Sequence, residues 1–105
     1  MRKITAVIKE LLKTIWLNSL PYDINCGECE DFAMAVIEQI PEAEEQCSEI
    51  FAEFGVLPGH MWVEFRGKHY DAECSEGVEN WQDLPIFVNL NWKELDEYLR
   101  DFKGY

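Results

Sequence analysis

The stretch from Gly59 to Cys74 restricts the chain's fold more than any other part of it. Its sequence, Gly59-His60-Met61-Trp62-Val63-Glu64-Phe65-Arg66-Gly67-Lys68-His69-Tyr70-Asp71-Ala72-Glu73-Cys74, alternates in character around a central Arg66-Gly67. That is the pattern of two antiparallel strands joined by a two-residue turn. With Phe65 opposite Lys68, Val63 pairs with Tyr70 and Met61 with Ala72, which gathers one apolar face. The other face carries His60, Trp62, Glu64, His69, Asp71 and Glu73. In this register Asp71 lies opposite Trp62 and diagonal to His60, about 7–8 Å away and within reach of long or aromatic side chains. His69 falls beside the turn, where exposure is expected. Trp62 reads equally as core and as the wall of a cleft. Two strands alone bury too little to be stable, so the rest of the chain must cover this hairpin.

Helical periods supply the cover. Ile4, Val7, Ile8, Leu11, Leu12, Ile15 and Trp16 recur at helical spacing, with Lys3, Lys9, Glu10 and Lys13 on the other side. This predicts an amphipathic helix that ends near Asn18 to Leu20, before Pro21. Pro21 to Asn25 reads as a loop. Phe32, Ala33, Val36, Ile37 and Ile40 mark a second helix that Pro41 stops, with Glu28, Glu30 and Asp31 near its positive end.

Residues 42–54 fit two periods, and the expectation is helix at the start and extended chain at the end. Glu76-Gly77 is expected to turn the chain, and Val78 to Val88 to form an ordered loop with a short strand. Asn91 can cap a last helix striped by Trp92, Leu95, Leu99 and Phe102. The expected architecture is α+β, one domain over residues 1–105, with N-terminal helices packed on a small antiparallel sheet and a C-terminal helix.

Charge narrows the partners. Twenty-one acidic and nine basic residues give a formal charge of −12, which disfavours phosphate backbones and anionic lipid. Neither nucleic acid nor membrane is expected as a partner. No apolar run approaches the ~18–20 residues of a membrane span, and Lys9, Glu10 and Lys13 break up any signal-peptide core. The expected location is cytoplasmic, where four cysteines serve as thiols rather than as a disulfide framework.

The chemistry gathers at Asn25-Cys26-Gly27-Glu28-Cys29. Cys29 falls where a helix begins, and the amide groups of a helix N-terminus favour an anion. A thiol nucleophile also needs a base that can later protonate the leaving group, an orienter for that base, and donors for the oxyanion. His60 is the candidate base and Asp71, on the same hairpin face, the candidate orienter. The Cys29 backbone amide and the Asn25 side chain are the candidate oxyanion donors. Cys26 reads as a neighbour packed in the loop, and Cys47 and Cys74 as small apolar residues.

Cys26-Gly27-Glu28-Cys29-Glu30-Asp31-Phe32-Ala33 resembles the nucleophile segment of papain-fold cysteine hydrolases. His60-Met61-Trp62-Val63-Glu64-Phe65, followed by Tyr70-Asp71-Ala72, resembles the transglutaminase-like branch of that superfamily, which has the same order of Cys, His and Asp. The resemblance covers roughly residues 25–74. It implies a Cys29, His60, Asp71 triad, a helix packed on an antiparallel sheet, no cofactor and no metal. The implied activity is acyl transfer on an amide or ester, by hydrolysis, deamidation or transamidation; the resemblance supplies no substrate, and a protein or peptide amide is the one expected. Two other classes compete with it. One is a catalytically inactive acidic binding or inhibitor protein on the same fold. The other takes Cys26 and Cys29 as a CxxC pair for zinc or redox chemistry.

Overall fold

A computed structural model describes residues 3–48 and 59–88. The elements are helices α1 (Ile4–Lys13), α2 (Pro21–Gly27) and α3 (Cys29–Gln39), strands β1 (Glu44–Cys47), β2 (Met61–Phe65), β3 (Lys68–Asp71) and β4 (Cys74–Val78), a 3-10 turn (Trp81–Asp83), and the short helix α4 (Pro85–Val88). The four strands form one antiparallel sheet in the order β1-β2-β3-β4. The protein is therefore α+β, with helices packed on a small antiparallel sheet. The expected C-terminal helix lies outside the described residues.

The central hairpin takes the expected register, with Val63 opposite Tyr70, Glu64 opposite His69 and Phe65 opposite Lys68. Arg66 and Gly67 have φ of 53° and 80°, the left-handed pair whose twist matches that of the flanking strands. The pairing of Met61 with Ala72 does not form, because β3 ends at Asp71 and the chain turns through Ala72 and Glu73 into β4. Ala72 is nevertheless buried in the apolar face.

Five other expectations are corrected. The first helix stops at Lys13 rather than near Asn18 to Leu20. Trp16 tucks into the core while Ile15 is 71% exposed, so a straight continuation would not bury both. Pro21 to Asn25 is helical rather than a loop: proline suits a helix's first position because it has no amide hydrogen to leave unpaired. The start of the 42–54 segment is an edge strand, because pairing with β2 outweighs a helical period there. Gly77 sits inside β4 instead of turning the chain. Its φ of 80° and the register shift between His69 and Asp71 mark a bulge. The segment after β4 forms a 3-10 turn and α4, not a strand.

The sheet is covered on both faces. Ile4, Val7, Ile8 and Leu11 of α1 and Phe32, Ala33 and Val36 of α3 pack against Val63, Tyr70 and Ala72. On the other side Trp62 packs with Leu84 and Phe87, flanked by Cys74, Val78, Trp81 and Ile86. Thr5 ties α1 to β4 by donating its hydroxyl to the Ser75 carbonyl at 2.7 Å.

Candidate active site

Aspartate suits the residue before a tight turn, because its carboxylate can accept the amide hydrogen two residues on. Asp71 does this, with the Glu73 N–H reaching Oδ1 at 2.9 Å. Its other oxygen, Oδ2, lies 2.9 Å from His60 Nε2. Both side chains are buried, His60 at 1% and Asp71 at 3% exposure. The backbone of His60 is pinned by Ser48, which extends the β1–β2 pairing by one residue. The His60 N–H donates to Ser48 Oγ at 3.1 Å, and the His60 carbonyl accepts the Ser48 N–H at 3.0 Å. The imidazole stacks on Trp62 at 5.9 Å and meets the edge of Phe87 at 5.8 Å.

These contacts leave one atom unsatisfied. His60 Nδ1 is buried and has no hydrogen-bond partner among the described residues. Against an ionised Asp71, which can only accept, a neutral His60 carries its proton on Nε2 and its lone pair on Nδ1. Few buried polar atoms in folded proteins go unpaired, and such an atom marks strain, function or the place of a bound water.

Cys29 is the first residue of α3, directly after the break at Glu28 that ends α2. It is half-buried. With Asn25 and Asp71 it lines a narrow crevice, too tight in this state to hold a water molecule, whose walls include Phe32, Val36, Met61, Trp62 and Val63. The structure thus brings Cys29, Asn25 and Asp71 to one crevice and joins Asp71 to His60. It does not join Cys29 to His60: no hydrogen bond links them, and His60 is not part of the crevice wall.

No protein-family model, no curated protein and no solved structure matches this chain. The reading of the site therefore rests on the residues and their geometry.

Asn25 is buried at 2% and donates Nδ2 to Glu73 Oε1 at 2.9 Å. A primary amide has two hydrogens, so one remains for an oxyanion. Trp62 serves in both of the roles left open by the sequence, packing in the aromatic cluster and lining the crevice. Its Nε1–H donates to His69 Nδ1 at 2.9 Å. His69 is consequently half-buried, not exposed as its place beside the turn suggested.

The other thiols differ from one another. Cys26 is exposed, and its hydrogen bond with Tyr22 is the main cause that raises the Tyr22 phenol above its ordinary value. Burial, then the Asp71 charge, pushes the Cys74 thiol up, which keeps it protonated and a poor nucleophile near neutrality. Cys47 is exposed on the edge strand, against its reading as a small apolar residue. Among the described residues no three His, Cys, Asp or Glu side chains come together as a metal would require.

The sequence reading missed Ser48, Glu73 and Phe87. Ser48 lies in the segment whose period was ambiguous, and Phe87 in one without a sustained period. The Asp71-x-Glu73 spacing was the one available signal, since an aspartate two residues before a free amide is a turn signature.

Proposed function

We propose that the protein is a thiol-dependent acyl-transfer enzyme of the transglutaminase-like, papain-fold type, hydrolysing an amide of a protein or peptide through a thioester on Cys29. The observation that carries this reading is the buried, unpartnered Nδ1 of a histidine whose Nε2 is held by a buried carboxylate.

In the proposed reaction Nδ1 takes the proton of the Cys29 thiol, and the thiolate sulfur bonds to the substrate carbonyl carbon. The carbonyl oxygen becomes an oxyanion, held by the Cys29 backbone N–H and the second hydrogen of Asn25 Nδ2. The C–N bond then breaks, and the leaving amine takes the proton from Nδ1. A water molecule, deprotonated at Nδ1, attacks the thioester. The acid departs and the Cys29 sulfur regains its proton. Asp71 Oδ2 holds the Nε2–H throughout and stabilises the transient imidazolium. The thiol and imidazole approach each other when substrate enters the crevice, since catalytic hydrogen bonds often tighten only in the complex.

The test is acylation by an activated ester. Incubated with p-nitrophenyl acetate, the protein is expected to give a burst of nitrophenol and an acetyl adduct on Cys29, both lost in Cys29→Ser. Acetylation spread over Cys26, Cys47 and Lys side chains, with no burst, contradicts the proposal.

A second reading takes the fold as a catalytically inactive binding protein in which His60 and Asp71 form only a structural pair. The absence of a Cys29–His60 hydrogen bond favours it. Under this reading the ester gives no burst and His60 has no effect on Cys29.

A further inference from the structure

Glu73 belongs to no element's interior, yet it makes two contacts that meet at the site. Its backbone N–H holds Asp71 Oδ1 and its carboxylate accepts from the buried Asn25 Nδ2, each at 2.9 Å. Asn25 lies on α2, one residue before Cys26 and four before Cys29. A continuous chain therefore runs from His60 Nε2 to Asp71 Oδ2, from Asp71 Oδ1 to the Glu73 amide, and from the Glu73 carboxylate to Asn25. It links two parts of the site that no direct hydrogen bond joins, the His60–Asp71 pair on the sheet and the helix junction that presents Cys29.

We propose that Glu73 is a positioning residue, setting the distance between the Cys29 thiol and the His60–Asp71 pair by clamping α2 to the β3–β4 turn. This rests on the reading of Cys29 and His60 as nucleophile and base. The clamp is specific to its side-chain oxygen. A glutamine keeps an acceptor for Asn25 and leaves the backbone bond to Asp71 untouched, whereas alanine removes the clamp. An aspartate at position 25 sets one carboxylate against another and breaks the clamp from the opposite side.

The experiment measures the rate of Cys29 alkylation by iodoacetamide from pH 5 to 9, followed by peptide mass spectrometry. Circular dichroism of each variant reports folding. Alkylation forms no oxyanion, so the contact proposed for Asn25 with that intermediate does not enter. Glu73→Gln is expected to follow the wild-type profile. Glu73→Ala and Asn25→Asp are each expected to slow Cys29 up to about a hundred-fold at neutral pH, the scale of an ångström-level misplacement. The swap Asn25→Asp with Glu73→Gln restores an amide-to-carboxylate pair and is expected to recover most of the rate.

A folded Glu73→Ala variant with the wild-type profile overturns the inference, and so does a swap that recovers nothing. If Glu73→Ala does not fold, the single and double Asn25→Asp variants decide alone. His60→Gln separates the two levels. If it leaves Cys29 unchanged, the catalytic reading itself fails; if it slows Cys29 while the clamp variants do not, only the role of Glu73 fails.

Discussion

Under α1 and α3 the sheet is packed mostly with aliphatic side chains, with Phe32 and Tyr70 among them, whereas under the 81–88 segment it holds a cluster of aromatic rings around a buried histidine–aspartate pair. The aliphatic contacts of the first face are non-directional: each such side chain contributes by the apolar area it removes from water, roughly 25 cal/mol per Å², and Trp16 and Phe32 add an edge-on ring pair at 5.0 Å. The aromatic face is directional. Trp62 lies nearly parallel to Trp81, with centroids 5.6 Å apart, and Phe87 meets Trp62, Trp81 and His60 edge-on. A neutral methylene lost from the first face should cost stability alone. A ring lost from the second should also free the imidazole.

Phe87→Ala probes the contrast most severely. Removing a fully buried Phe is expected to cost about 3–5 kcal/mol, read from the urea midpoint, and to slow Cys29 alkylation beyond what the loss of folded protein explains. Its counterpart, Ile8→Val in the aliphatic face, is expected to cost about 0.5–1.5 kcal/mol with no change at Cys29. Equal behaviour of the two would erase the distinction between the faces.

Gly77→Ala comes next. A Cβ there would lie 2.5 Å from a ring carbon of Tyr70, and the φ of 80° disfavours any side chain. The left-handed backbone costs an alanine about 1–2 kcal/mol, and overpacking against Tyr70 about 1–3 more. The effect belongs to the aliphatic face, so Cys29 alkylation of the folded fraction should stay as in the wild type.

Ser48→Ala leaves the buried His60 N–H without its side-chain acceptor. The expected loss is about 1–3 kcal/mol, smaller than that of Phe87→Ala, with slower alkylation of Cys29 because the base is no longer held. Unchanged Cys29 kinetics would show that the His60 backbone needs no such anchor.

The smallest effect is a pH dependence. Desolvation raises Tyr70 from its ordinary 10.0 and Cys74 from its ordinary 9.0, with nearby negative charge adding to each. The native state resists losing these protons, so this contribution is fully present below pH 9 and is lost as pH rises through the raised folded values. Thermal unfolding midpoints should fall on that alkaline limb, and less steeply in Cys74→Ala.

The hairpin was legible because a period of two leaves one register that buries Val63 and Tyr70 together, and Arg66-Gly67 fixes the turn. The same alternation placed His60 and Asp71 on a shared face. The helix covers were legible from Ile4, Val7, Ile8 and Leu11 and from Phe32, Ala33 and Val36. The edge strand β1 was not, because Glu44-Glu45-Gln46-Cys47 carries no apolar alternation and owes its conformation to β2. Nor was the aromatic cover, since Trp81 and Phe87 come from two single turns too short to show a period, and Leu84 from the residue between them. Ser48 and Glu73 act through one hydrogen bond or two, which depend on how distant segments meet rather than on any local pattern.

The most direct test of the account is the pH profile of Cys29 alkylation in the wild type and in His60→Gln, which keeps an amide N–H for Asp71 but has no base. Wild-type Cys29 is expected to react first among the four cysteines near neutral pH, and His60→Gln to remove this preference while circular dichroism stays unchanged. Coincident profiles for the two proteins, with Cys29 no faster than the exposed Cys26, would contradict it.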